Sequence, residues 1–226
     1  MISVRHRRIV VAVVLTISSP AVLAEDGKPT VAAQRMEGMK SRVTGIRVSS
    51  SDAGVPKQLR PEPLFRYDDE TRGYVDGTVW RLGETGRPLA LITTELHPRY
   101  LNGGPVVVYD LLSLTDKRFR LQSEDLPGWT PIGSAVTMTL LPNGPVPANE
   151  PGKRLAQLKE QARRFTATQD VAEIDKQFVH LRMLPREIER YQPTAGERAD
   201  GAIFLLVNGR NPAIILLIET DGKSWQ

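Results

Sequence analysis

The sequence predicts an α+β fold: two related halves, each a helix, a strand, an Arg-Tyr segment and a β-hairpin, forming a largely antiparallel sheet packed by two helices. Three observations lead there. Residues 66–95 and 190–219 align without a gap at an offset of 124 positions, placing Arg66-Tyr67 on Arg190-Tyr191, Asp76-Gly77 on Asp200-Gly201, Leu82 on Leu206, Pro88 on Pro212 and Glu95 on Glu219. The apolar positions between them match as well, Val79 with Ile203, Trp80 with Phe204, Leu91 with Ile215 and Ile92 with Leu216. A match at one fixed offset means one supersecondary unit used twice. Each copy consists of two apolar runs divided by turn residues, the pattern of a hairpin. Hairpins outnumber alternating strand–helix units, which favours an antiparallel sheet over a parallel α/β one.

The elements follow in order. Residues 1–24 read as an export leader: Arg5, Arg7 and Arg8 head the chain, residues 9–17 (IVVAVVLTI) are apolar, and Val22-Leu23-Ala24 supplies small residues for cleavage after Ala24. The nine apolar residues fall short of the ~18–20 that span a bilayer. No later segment is long and apolar enough to span, so no membrane span is expected after cleavage. Residues 31–42 have helix propensity with Val31, Met36 and Met39 spaced for one face, and the β-branched residues 43–48 predict a strand. Residues 49–55 are loop by composition, and 59–67, with two prolines, suit an edge or extended segment. The first hairpin runs 77–83, turn 84–87, return 88–95; the second runs 201–207, turn 208–211, return 212–219, with Asn208-Gly209 the stronger turn signal.

Residues 106–114, 118–122 and 135–141 read as three further strands, and 142–152 (PNGPVPANEPG) as a connector between halves at about 31–141 and 153–226 of a single domain spanning 25–226. Residues 153–166 form the best helix, with Leu155, Leu158, Ala162 and Phe165 on one face and Glu160 and Arg164 as an i,i+4 pair. Residues 178–184 read as a strand entering the second Arg-Tyr. Because residues 213–218 carry no polar side chain while the first copy has Thr93 and Thr94, the second hairpin is expected to be central and the first nearer an edge.

Composition excludes several function classes. The formal charge is +4, but the leader holds three arginines and no acid, so residues 25–226 carry about +1. The basic balance describes the leader and gives no case for nucleic acid, which needs clustered Lys and Arg. With no cysteine there is no disulfide, thiolate nucleophile or Cys-ligated metal, and folding rests on apolar burial. Gly103-Gly104 precedes Pro105 and a strand, so it reads as a turn and not as a phosphate loop.

The segments Pro63-Leu64-Phe65-Arg66-Tyr67, Asp76-Gly77-Thr78-Val79-Trp80 and Gly86-Arg87-Pro88-Leu89-Ala90-Leu91 resemble those of uncharacterised exported proteins of planctomycete bacteria. So do Ala162-Arg163-Arg164-Phe165-Thr166-Ala167 and Asp200-Gly201-Ala202-Ile203-Phe204 running on to Leu217-Ile218-Glu219. The resemblance covers most of residues 60–226 and implies export; that family has no assigned activity, so it implies no catalytic residue. The chain departs from the pattern at Arg186-Glu187, where no Pro-Leu pair precedes the second Arg-Tyr.

Candidate chemistry rests on residues present once per copy: Arg66 and Arg190, Tyr67 and Tyr191, Asp76 and Asp200, Glu95 and Glu219. Residues shared by both copies are expected to serve what the copies share, the fold: Asp-Gly as a turn signal and Arg with Asp as an ion pair. The sharper alternative brings the equivalent carboxylates together for acid–base chemistry or a hard cation. Glu95 and His97, two apart on a strand, share a face and suit a shared ligand, but His180 is the only other histidine beyond the leader, too few to favour zinc. Ser113, His97 and Asp110 make a nominal triad without a nucleophile-elbow motif. Lys153, Arg154, Lys159, Arg163 and Arg164 form a basic helix face suited to solvent, an acidic polymer or a membrane surface. Tyr100, Tyr109, Trp129 and Trp225 are candidates for stacking on a sugar.

The reading is therefore an exported protein, periplasmic or extracellular, non-catalytic, with no cofactor or metal, contacting a protein or polysaccharide partner in the envelope. The alternative is a carboxylate-dependent hydrolase or metal-binding enzyme using Glu95, Glu219 and His97. A third reading is a subunit that completes its sheet with another copy along residues 106–114.

Overall fold

A computed structural model describes residues 11–14, 30–55, 58–69, 74–98, 105–170, 178–193 and 200–226. The fold is α+β with antiparallel sheets, as the hairpin-rich sequence predicts. The chain forms two compact units: residues 1–84 with 88–136, and residues 85–87 with 137–226. The expected connector, 142–152, lies wholly inside the second unit, and the boundary falls before it, at 136/137.

The first unit carries a five-stranded antiparallel sheet in the order β1 (Val11–Val14), β6 (Val106–Ser113), β5 (Ala90–His97), β4 (Tyr74–Leu82), β3 (Phe65–Asp69). Helix α1 (Val31–Thr44) packs on it, and β2 (Arg47–Ser49) pairs with β7 (Arg120–Gln122). Thr30 caps α1, its hydroxyl accepting from the Ala33 N–H at 3.2 Å. The helix runs through Val43, which the sequence places in a strand. Val43 is fully buried one turn beyond Met39, so the gain from burying it outweighs the weak strand preference of a β-branched residue.

Met39, Val43 and Ile46 meet Trp80, Leu82, Ile92, Val107 and Tyr109 in the core, with Phe119 and Leu121 from around β7. Thr78 and Thr94 are buried without strain on this face because their hydroxyls lie 2.6 Å apart and the Trp80 indole donates to Thr78 at 2.8 Å.

The second unit is built on β12 (Asp200–Asn208), buried along its whole length. It pairs with β13 (Asn211–Thr220), with β11 (Glu189–Tyr191) and with β10 (Arg182–Met183). A further pair joins β8 (Thr168–Asp170) to β9 (Phe178–His180). Helix α2 (Pro151–Ala162) covers the sheet through Leu158 and Ala162, with Leu155 and Phe165 packed alongside, against Ala202, Phe204, Ile218 and Trp225. These are the four apolar positions the sequence assigns to one helix face, but the helix ends at Ala162 and Phe165 packs from beyond its C-terminus. The helix starts two residues earlier than expected because Pro151, at its first turn, needs no donor there.

Several expectations are corrected. The first hairpin is interior to its sheet, since β4 and β5 each have neighbours on both sides; β13 of the second is only half-buried from Asn211 to Leu216. Residues 135–141 form no strand: Ala135 and Leu141 each donate one backbone bond, to Ser113 and Trp225. Residues 178–184 form two short strands in different sheets, because Leu181 turns its N–H to Ala167. Arg164 donates to Gln161 at 2.6 Å and to the Pro142 carbonyl at 2.8 Å in place of the expected pairing with Glu160. The segment 142–152 is fastened to its surroundings: Trp225 donates to the Pro145 carbonyl at 2.7 Å and Gln157 to the Val146 carbonyl at 2.9 Å. Pro212 is accommodated inside β13 at the register shift beside Leu206 and Val207.

Tyr109 sits in the first core, 1 % exposed, and burial, aided by the Asp125 charge, pushes its hydroxyl up to about 12. An unfolded tyrosine ionises near 10. Its contribution is thus fully present below pH ~10 and is lost as pH rises from ~10 through ~12. Phenolate absorbance during alkaline titration should show exposed tyrosines ionising first and Tyr109 only with cooperative loss of structure. Uniform titration of all tyrosines near pH 10 in a folded chain would contradict this.

Candidate functional site

The residues singled out by the sequence occupy three adjacent strands in the first unit. Tyr67 on β3 stands opposite Gly77 on β4, and Gly77 opposite Glu95 on β5. Partners in register share a face, so the three side-chain positions line up across the sheet. The Tyr67 ring fills the space over Gly77, where an added Cβ would come within 2.4 Å of a ring carbon. The ring crosses the middle strand this way, and its hydroxyl donates to Glu95 Oε1 at 2.7 Å. On the opposite face Arg66 makes a two-pronged bond to Asp76, Nε to Oδ1 at 2.8 Å and Nη2 to Oδ2 at 2.5 Å. Nη2 also donates to the Ala32 carbonyl at 2.7 Å, tying the strands to the first turn of α1.

The second unit holds the same arrangement in the same register. Tyr191 on β11 faces Gly201 on β12, and Gly201 faces Glu219 on β13. A Cβ at Gly201 would lie 2.6 Å from the Tyr191 ring, and the Tyr191 hydroxyl donates to Glu219 Oε1 at 2.5 Å. Asp200 is gripped by Arg190 and, from α2, by Arg154. Arg154 also donates to the Ala148 and Asn149 carbonyls at 2.6 and 2.9 Å. Burial, with the Glu219 charge next, drives the Tyr191 hydroxyl far above its ordinary value, so it remains a neutral donor.

The two glutamates differ in surroundings. Glu219 is fully buried, and Arg87 brings Nε to 3.0 Å from its Oε1; both residues belong to the second unit. Its other oxygen, Oε2, is buried without a hydrogen-bond partner. Glu95 is about one-fifth exposed and lies 3.5 Å from His97 Nε2, which is exposed to the same extent. The sequence reading that Glu95 and His97 share a face therefore holds. Each glutamate is engaged inside its own unit, Glu95 by Tyr67 and His97, Glu219 by Tyr191 and Arg87. A general base must reach a substrate proton, which a carboxylate with no exposed surface does not.

Other candidates are dispersed. His97 pairs with Val106 and Ser113 with Ala90, at opposite ends of the β5–β6 ladder and so about 24 Å apart. Ser113 donates its hydroxyl to the Thr115 carbonyl at 2.9 Å, and Asp110 lies on the exposed face, so no triad assembles. Among the described residues no group of three or more His, Cys, Asp or Glu is placed to hold a metal ion. Asp76-Gly77 and Asp200-Gly201 are not turns; both lie in strands, and the glycines serve the close approach of the tyrosine rings.

Of the basic helix face, Lys153 pairs with Glu150, Lys159 with Glu187 and Arg154 with Asp200, while Arg164 bonds neutral groups. Tyr109 and Trp225 are buried and present no sugar platform, while Trp129 is partly buried and packs edge-on against Phe119, centroids 5.8 Å apart. Tyr100 and Gly103-Gly104 lie outside the described residues.

Sequence reasoning missed Arg87 as the counter-charge of Glu219. The signal available was weak, a cation in a turn whose partner lies in another hairpin. No protein-family model, no curated protein and no solved structure matches the chain.

Two sets of variants test this geometry. Gly77→Ala and Gly201→Ala should each cost about 1–3 kcal/mol in urea unfolding, and Gly201→Ala should cost much less in a Tyr191→Ala background, where the ring is gone. Equal costs in both backgrounds would mean that the ring is not the cause. Arg87→Ala removes the cation in contact with the buried Glu219 carboxylate and should cost about 3 kcal/mol, most of it recovered by adding Glu219→Gln. A double variant no more stable than Arg87→Ala alone would contradict the pairing.

Proposed function

We propose that the chain is an exported, non-catalytic binding protein that makes contacts in the cell envelope. The observation that carries this reading is that the Arg, Tyr, Asp and Glu residues present in both hairpin segments are consumed by links between strands and to helices. Residues used in this way specify a scaffold, and the same scaffold occurs twice. Export is supported by the basic head, apolar run and small-residue cleavage site of residues 1–24. A protein partner suits the chain better than a polysaccharide, since Tyr109 and Trp225 are packed inward. The resemblance to exported planctomycete proteins points the same way.

One observation favours a second reading. Glu95 and His97 are both partly exposed and 3.5 Å apart, a pair able to accept and return a proton. In that reading the protein is a hydrolase of a small substrate. Thermal unfolding of residues 25–226 against divalent cations, sugars, nucleotides and polyanions separates the two. A ligand at a hundred times its dissociation constant adds about 2.7 kcal/mol, a rise of several degrees. The binding-protein reading expects no rise with these small ligands. A reproducible rise that vanishes in Glu95→Gln and in His97→Asn would overturn it in favour of the carboxylate–imidazole site.

A further inference from the structure

We infer that the outer edge of β6 is a self-association strand, covered by the leader in the precursor and paired with β6 of a second copy once the leader is gone. The inference rests on reading residues 1–24 as a removed leader, which the N-terminal sequence of the exported protein tests separately.

Strand β6 pairs with β5 over all eight of its residues. On its other side it pairs with β1 over four: Val11 with Tyr109, Ala12 with Val108, Val13 with Val107 and Val14 with Val106. β1 belongs entirely to the leader. Cleavage after Ala24 would therefore strip the ladder from Val106–Tyr109 and leave its donors and acceptors open. The edge carries few of the devices that blunt exposed strands. Its pairing with β5 is unbroken by a bulge, no proline or lysine occurs between Val106 and Ser113, and the single charge, Asp110, lies beyond the stretch that β1 covers.

The occupant seen on this edge indicates what replaces it. It is an antiparallel β-branched segment, Val-Ala-Val-Val, and β6 itself opens with Val-Val-Val-Tyr. A second copy thus supplies almost the same strand, in an isologous contact that closes as a dimer.

The pleat restricts the register. A twofold axis normal to the sheet must pair residues of equal parity, or one core face would continue into the other copy's outer face. Centred on Val108, it pairs Val106 with Asp110, Val107 with Tyr109 and Val108 with its own equivalent. Val107 and Tyr109, both core-facing and 3 % and 1 % exposed, then meet on one face. Asp110 is kept from the Asp110 of the second copy, avoiding like charges in opposition. Pro105, with no N–H, stands just beyond each end of the ladder.

Sedimentation velocity over a concentration series tests the inference. Residues 25–226 should reach twice the monomer mass, and the full chain 1–226, with its own strand in place, should remain at the monomer mass. Val108→Lys and Val108→Asp place like charges opposite each other at the twofold, so each variant alone should be monomeric, and a mixture of the two should regain the dimer. Where either variant fails to fold, as read by circular dichroism, a lysine-flanked peptide of residues 9–17 added to unmodified 25–226 should convert the dimer to monomer. A monomer at every concentration of 25–226 would overturn the inference. So would a dimer that withstands both Val108 variants and the peptide, since the contact would then lie elsewhere.

Discussion

In both units a tyrosine on one strand lies flat over a glycine on the next and delivers its hydroxyl to a glutamate on the third. The span is possible only because the middle position has no side chain: a methyl group there would sit 2.4 Å from the Tyr67 ring or 2.6 Å from that of Tyr191. The glycine costs the strand some conformational entropy, and the ring laid across it returns apolar contact and a hydrogen bond. The register of β3, β4 and β5, and of β11, β12 and β13, is consequently fixed by a polar bond as well as by the apolar face. A slip of one residue would turn Tyr and Glu to opposite sides of the sheet. On the opposite face the Arg–Asp pairs do the complementary task, tying the same strands to α1 through Ala32 and to α2 through Arg154.

The two brackets share geometry but not environment. Glu95 stays partly open to solvent beside a histidine, whereas Glu219 is enclosed beside Arg87. A buried carboxylate is tolerable when hydrogen-bonded and paired, and costly when either partner is lost. The tyrosine hydroxyl, held neutral by burial, is suited to this task because it donates without adding charge. One arrangement thus serves as a surface-accessible pair in one unit and as a sealed strut in the other, and the surroundings decide which chemistry remains open to each.

Residues 11–14 raise a different physical issue. The run that contains them is apolar and β-branched, and those properties make it a competent edge strand. Residues 11–14 pair with β6 for this reason. The same segment that we propose as part of an export leader covers, across the sheet, an otherwise open ladder. Under that proposal the two roles are compatible, since one would concern handling of a precursor and the other its folded state.

Much of the fold was legible because its signals are local. Hairpin positions, the apolar face of α2 at Leu155, Leu158 and Ala162, and the shared face of Glu95 and His97 follow from periods of 3.6 and 2, which depend only on backbone geometry. The offset of 124 likewise located every member of both brackets. What Asp-Gly does was not legible: next to a strand it signals a turn, and only the tyrosine stacked above shows that the glycine makes room for a ring. The same holds for Val43 in a helix, for the irregular course of 135–141, for Arg87 beside Glu219, and for β1 on β6. The sequence by itself determined the fold class, the hairpins and the paired residues, because these arise from neighbours along the chain. Tertiary structure decided which residues are enclosed and which charges meet, because burial and long-range pairing depend on groups that sequence spacing does not bring together.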